Sequence, residues 1–161
     1  MKKKEKKILI GLTVACIVSV LLMAGALVWY FIKLDNAKFV PPEPDPAAVQ
    51  QEPPAIDGWR EINHSEYNFG ICGKVDSSEG KDITIWLYND AENKDVFIKL
   101  RVKNESGYVI GETGLVAPGE CLEKVQLERA VKKGEKLTYY VMAYDKDYHS
   151  LTPFPFAPQV S

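Results

Sequence analysis

Catalytic equipment is what this chain most lacks. Its 161 residues include two histidines, His64 and His149, and three cysteines, Cys16, Cys72 and Cys121. It contains no Gly-x-Ser-x-Gly elbow, no His-Glu-x-x-His helix and no glycine-rich phosphate loop, and those chemistries need their residues at fixed spacings. Catalysis would require His64 or His149 to meet Ser65, Ser150 or a cysteine through the fold. The chain therefore reads as a non-enzyme, with a surface enzyme as the remaining alternative, and no cofactor is expected. Asp145, Asp147 and His149 alternate, and Asp90, Glu92 and Asp95 crowd one turn. Neither set has the ligand number or the glycine of a calcium loop. Both read as solvated loops, with no metal expected.

Charge is absent from Ile8 to Ile32, a run of 25 residues of which 14 are Ile, Leu, Val or Phe. As a helix it reaches roughly 37 Å, enough to cross a hydrocarbon core of about 30 Å with some tilt. Residues 1–7 carry five lysines, which predicts a basic cytoplasmic tail and everything after the span outside. Trp29 and Tyr30 fall where amphipathic rings favour the headgroups, and Lys33 is placed to snorkel there. Ala24-Gly25-Ala26 offers a small-x-small cleavage motif, and cleavage after Ala26 remains an alternative. The apolar residues that continue to Ile32 favour an uncleaved signal anchor. Gly11, Ala15 and Ser19 recur at four-residue spacing and form one small-residue stripe. Such stripes support helix pairing, here with a second copy or a partner helix, although small residues are common in any span.

Residues 33–56 change character, and six of the ten prolines lie between Val40 and Ile56. Proline fixes φ and removes a donor, so this segment is expected to be an extended, unpacked extracellular stalk. Beyond Lys38 there are 20 acidic and 13 basic residues, a net charge of −7. That balance disfavours nucleic acid and anionic surfaces as partners.

Residues 57–161 suit one domain with its own core. Periodicity two places Ile83, Ile85 and Leu87 on one strand face, Val96, Ile98, Leu100 and Val102 on another, and Leu137, Tyr139, Val141 and Ala143 on a third. Weaker strands are expected over 68–75, 108–112, 121–127 and 154–160, the last demoted to an edge by Pro155 and Pro158. Turn signals separate them at Asn89–Asp95, Asn104–Gly107, Pro118-Gly119 and Lys132–Gly134. The expectation is an all-β ectodomain, an antiparallel, immunoglobulin-like sandwich of about seven strands, behind one N-terminal transmembrane helix.

Asn89 and Asn93, Val96-Phe97-Ile98-Lys99-Leu100, Pro118-Gly119, Val125-Gln126-Leu127 and Lys133-Gly134 follow in a familiar order. The chain resembles small membrane-anchored single β-sandwich proteins of Gram-positive bacteria over about 82–144. Where that pattern has Asn-Pro, this chain has Asn89-Asp90. The resemblance implies placement and fold and assigns no catalytic residue.

Two further sets stand out. Cys72 and Cys121, outside the span, are candidates for a disulfide or for small buried apolar residues. Trp86, Tyr88, Phe97, Tyr140, Met142 and Tyr144 take the outward parity of three strands. If those strands are neighbours, the six form an aromatic partner surface; otherwise the sandwich is covered there. The function these features suggest is an interaction or accessory module at the cell membrane, meeting another envelope or surface protein. The alternative is a structural subunit of an envelope complex, assembled through its helix.

Overall fold

A computed structural model of the chain describes residues 3–35 and 41–161. Met1, Lys2 and residues 36–40, parts of the expected tail and stalk, lie outside the described residues. Two compact units are present, Met1–Val40 and Pro41–Ser161.

The first unit is a single helix, α1 (Lys3–Asp35). No proline interrupts it, and its apolar residues surround the axis instead of lining one stripe. That is the pattern of a helix solvated by apolar surroundings on all sides. Ile10–Tyr30 has a mean hydropathy of 2.5 with none of it buried, long and apolar enough for a membrane anchor or a signal sequence. Gly11, Ala15 and Ser19 share one face by their spacing, and the Ser19 hydroxyl donates to the Ala15 carbonyl at 2.9 Å.

The second unit is mostly β-sheet. Its described residues form β1 (Val49–Gln50), β2 (Trp59–Asn63), β3 (Asn68–Cys72), β4 (Lys74–Val75), β5 (Asp82–Asn89), β6 (Phe97–Asn104), β7 (Val109–Glu112), β8 (Glu120–Gln126), β9 (Leu137–Tyr144), β10 (Phe154–Phe156) and β11 (Gln159–Val160). One sheet runs β1-β8-β5-β3-β2, a second β10-β9-β6-β7, and β11 pairs with β4. The two large sheets are antiparallel throughout, whereas β11 and β4 run parallel.

The alternation read in the sequence is what builds the core. Ile83, Ile85 and Leu87 of β5 are buried with Ile98, Leu100 and Val102 of β6 and Leu137, Tyr139, Val141 and Ala143 of β9. All ten belong to one hydrophobic cluster that both sheets share. In β8 the inward residues Leu122 and Val125 are three apart, not two. The reason lies in β5, whose register against β8 shifts between Thr84 and Leu87, where Trp86 takes a φ of 44°. Positive φ at so bulky a residue is a genuine outlier, the mark of a bulge that bends a strand.

The stalk expectation is corrected over its second half. Asp45 donates its N–H to Leu115 O at 2.8 Å, Leu115 N–H donates to Glu43 O, and Gly114 N–H donates to the Asp45 carboxylate. Val49 pairs with Cys121 and Gln50 with Glu120, and Ala48 packs on the core. The residues between the prolines keep their donors and acceptors, and a sheet edge tolerates the prolines themselves. The β unit therefore starts at Pro41 and not at Asp57. The strand β2 lay unseen in Trp59–Asn63, where the apolar alternation is weak.

Each edge of the two large sheets is blunted. The first sheet ends in two-residue β1 and in β2, which exposes Arg60 and Glu61. On the second, β10 carries Pro155, and the free side of β7 is met by Leu127 and Glu128 through a bridge to Gly111 and a hydrogen bond to Ile110 O.

Candidate functional site

The six aromatic and methionine positions read as one outward surface are divided by the fold. Trp86 and Tyr88 lie on β5, in the five-stranded sheet; Phe97, Tyr140, Met142 and Tyr144 lie on β6 and β9, in the four-stranded sheet. The inner faces of both sheets are occupied by the shared core, so the two sets look away from it on different faces. The condition for one surface, that the three strands be neighbours, is not met at the connection. Sequential strands usually neighbour one another, but the Asn89–Asp95 turn carries the chain from one sheet into the other.

Asn89 and Asn93 make that corner. Fully buried, Asn89 donates through Nδ2 to Val96 O and Val116 O, both at 2.8 Å. Asn93 Nδ2 donates to Asn68 O and to Asn89 Oδ1, and Asn68 N–H donates back to Asn93 Oδ1. A paired asparagine at i and i+4 thus satisfies the backbone of β3, the corner and the β6 entry together. Its role is to hold the two sheets' ends, a structural one.

On the outer face of the four-stranded sheet, β6 and β9 pair Phe97 with Tyr144, Lys99 with Met142 and Arg101 with Tyr140. The Phe97 and Tyr148 rings stack at 6.4 Å, and Lys103 Nζ lies 4.1 Å from the Tyr140 ring centroid. Lys99 is only 8% exposed, and its ammonium pairs with Glu112 of β7, which also accepts from Arg101 Nε at 2.6 Å. Burial pushes the Glu112 carboxyl up, but the hydrogen bonds and charges of Arg101 and Lys99 together outweigh it and hold the carboxyl below its ordinary range. The Arg101 guanidinium is correspondingly raised, chiefly by its bond to Glu112. This face is a paired, half-buried mixture of rings and charge.

The outer face of the five-stranded sheet is different. Gly70 of β3 pairs with Glu61 on one side and with Tyr88 on the other. Over Gly70 lies the Trp59 ring: a Cβ at that glycine would sit 2.0 Å from Cζ2 and 2.4 Å from Cη2. Only glycine lets the indole lie on the strand. The Trp59 Nε1–H points to Glu61 Oε1 at 3.5 Å. A cleft of about 250 Å³ opens beside it, lined among others by Pro53, Asn68, Tyr88 and Asp90. Trp59 escaped the sequence reading because its strand did; the one signal was a tryptophan at the edge of the proline-rich segment.

Cys72 and Cys121 are both buried and both free. Of the two alternatives, the bridge is not made and the cysteines are small buried residues. Strand β5 stands between β3 and β8, which sets the two cysteines about 10 Å apart across the sheet, beyond the roughly 7 Å a disulfide tolerates. Burial, aided by the charge of Glu123, pushes the Cys121 thiol up to about 11, so it stays protonated and unreactive. Cys72 Sγ lies 3.4 Å from Lys74 O.

Asp145, Asp147 and His149 do converge, with one ligand atom each within 4.8 Å of the others. Asp145 Oδ1 already accepts from the N–H groups of Asp147 and His149, both at 2.9 Å, and Oδ2 meets His149 Nδ1 at 3.1 Å. The carboxylate is spent on closing its own turn. Tyr139 Oη is buried with no hydrogen-bond partner among the described residues, and burial raises its pKa strongly.

Compared with protein-family models, curated proteins and solved structures, the chain matches none.

Proposed function

We propose that the chain is a single-span membrane protein with its lysine-rich end in the cytoplasm and an acidic, immunoglobulin-like sandwich outside. There it serves as a non-catalytic interaction or accessory module for another envelope or surface protein. The observation that carries this reading is the wholly exposed apolar helix Ile10–Tyr30 in a chain whose hydrophobic core is drawn from 48–160. Water does not tolerate such a helix bare, and lipid does. The motif order shared with small membrane-anchored proteins of Gram-positive bacteria supports the same placement. Phe97, Tyr140, Met142 and Tyr144, with the Lys99–Glu112–Arg101 group, supply the partner surface: tyrosine, methionine and arginine are the residues enriched where proteins meet.

In-cell cross-linking tests it. A photo-reactive residue at Tyr140 or Met142 is expected to give one discrete adduct that the same residue at Lys133 does not. The chain is expected to stay with washed membranes and to lose its β unit to protease added to intact cells. A chain recovered in the supernatant, or protected from that protease, overturns the placement; identical adducts at Lys133 overturn the surface.

A second reading rests on the small-residue face of α1. The Ser19 hydroxyl is folded back onto its own helix, so Gly11, Ala15 and Ser19 present a low, closely approachable strip that suits assembly of an envelope complex or a homo-oligomer through the span. Gly11→Leu with Ala15→Leu abolishes helix-mediated cross-linking on this reading, and unchanged cross-linking dismisses it.

A further inference from the structure

The cleft beside Trp59 has a composition of its own. Trp59 and Tyr88 stand with two carboxylates, Glu61 and Asp90, and among the described residues no lysine, arginine or histidine lines it. Some carboxylates of the β unit find cations, as Asp57 does Lys74, Glu112 does Lys99 and Arg101, and Glu135 does Arg129. Glu61 and Asp90 belong to none of the ion pairs among the described residues. Among the described residues the Glu61 carboxylate meets the indole N–H alone. Asp90 uses Oδ1 to cap Glu92 N–H at 2.8 Å, and Oδ2 is uncommitted.

The arrangement is also built. The indole is seated on Gly70, where any side chain would displace it. The indole so held also lines the cleft. Glu61 and Tyr88 flank it because both pair with Gly70. Asp90 follows β5 by one residue and is fixed by its bond to Asn68 O at 3.4 Å and by the corner it caps.

We propose that this cleft binds an alkylammonium group, as carried by a lysine side chain of a basic peptide. Tryptophan is the strongest aromatic partner for a cation, and the two carboxylates supply the countercharge that an ammonium loses with its water. An anion meets like charge on both sides. A neutral sugar stacks on the indole but draws nothing from the carboxylates' charge. The site lies on the five-stranded sheet, apart from the Tyr140 face, and its test needs no membrane placement. It therefore stands or falls independently of the tethered-module reading.

The experiment titrates the full chain, in neutral detergent micelles at low ionic strength, with pentalysine amide. The probe is the indole N–H resonance of Trp59, assigned by its loss in Trp59→Phe. Pentalysine is expected to shift that resonance saturably, and pentaglutamate and neutral chitotriose to leave it in place. Glu61→Gln and Asp90→Asn are each expected to weaken binding roughly threefold to tenfold, the range of one cation–π or ion-pair contact. Asparagine keeps the capping oxygen, so Asp90→Asn preserves the corner, and unchanged Trp86 and Tyr88 resonances verify it. Failure to saturate at millimolar pentalysine, affinity unaltered in both variants, or a larger response to chitotriose overturns the proposal.

Discussion

On the four-stranded sheet, the outward cations Lys99 and Arg101 share Glu112, and Lys103 lies over Tyr140. On the five-stranded sheet, Glu61 and Asp90 stand beside Trp59 and Tyr88 in no ion pair among the described residues. Both faces come from the same alternating code, apolar in and polar or aromatic out. What separates them is whether neighbouring strands bring opposite charges into register. Strand alternation says which side chains leave the core; only strand pairing says whether they are satisfied once outside.

The largest effect is expected where the two faces share a support. Asn89→Leu removes the Nδ2 donor to Val96 O and Val116 O and the acceptor of Asn93 Nδ2, leaving Val96 O without that donor and Val116 O with the Ile98 N–H alone. A loss of about 3–4 kcal/mol in denaturant unfolding is expected. If Asn89→Leu unfolds one sheet's fluorescence probe before the other, the asparagine corner does not bind them together.

Glu112→Gln strikes only the paired face. It leaves Lys99, 8% exposed, without its carboxylate, at a cost of about 2 kcal/mol near neutral pH. The sign of its pH dependence follows from the lowered carboxyl. Stability from this group is complete above the unfolded value, near 4.5, and is lost as pH falls through the lower folded one. Wild type is therefore expected to lose stability below pH 4.5 more steeply than Glu112→Gln, in unfolding midpoints measured across that range.

On the other face, Gly70→Ala is expected to push the indole off its seat, at about 1 kcal/mol, since the clash falls on the far end of a side chain that can rotate. The Trp59 emission should shift toward the solvent-exposed value. The smallest effect belongs to Glu61→Gln, within about 0.5 kcal/mol, because no cation depends on that carboxylate. Comparable losses for Glu61→Gln and Glu112→Gln would erase the distinction between the faces.

Much of the β unit was legible in the sequence. Ile83, Ile85 and Leu87 are inward because a strand has period two, and Leu137 to Ala143 repeats the lesson. Asn104–Gly107 is a turn, closed by Gly107 N–H to Asn104 O at 2.9 Å. Pairing was not legible. That β5 and β6 part company depends on Asn89 finding Val116, which lies 27 positions along the chain. The packing of Asp45 onto Gly114 and of Trp59 onto Gly70 is likewise long-range, and no local propensity encodes it. The candidate cleft was invisible for the same reason: its indole, glycine and carboxylates come from three separate stretches.

The blunted edges have a consequence for crowding. Proteins concentrated on one surface sit edge to edge, and an open strand there is a template for fibrils. Here one border is two residues long, a second shows Arg60 and Glu61, a third holds a proline, and a fourth is already met by Leu127 and Glu128. Many copies can be packed together without seeding amyloid-like growth.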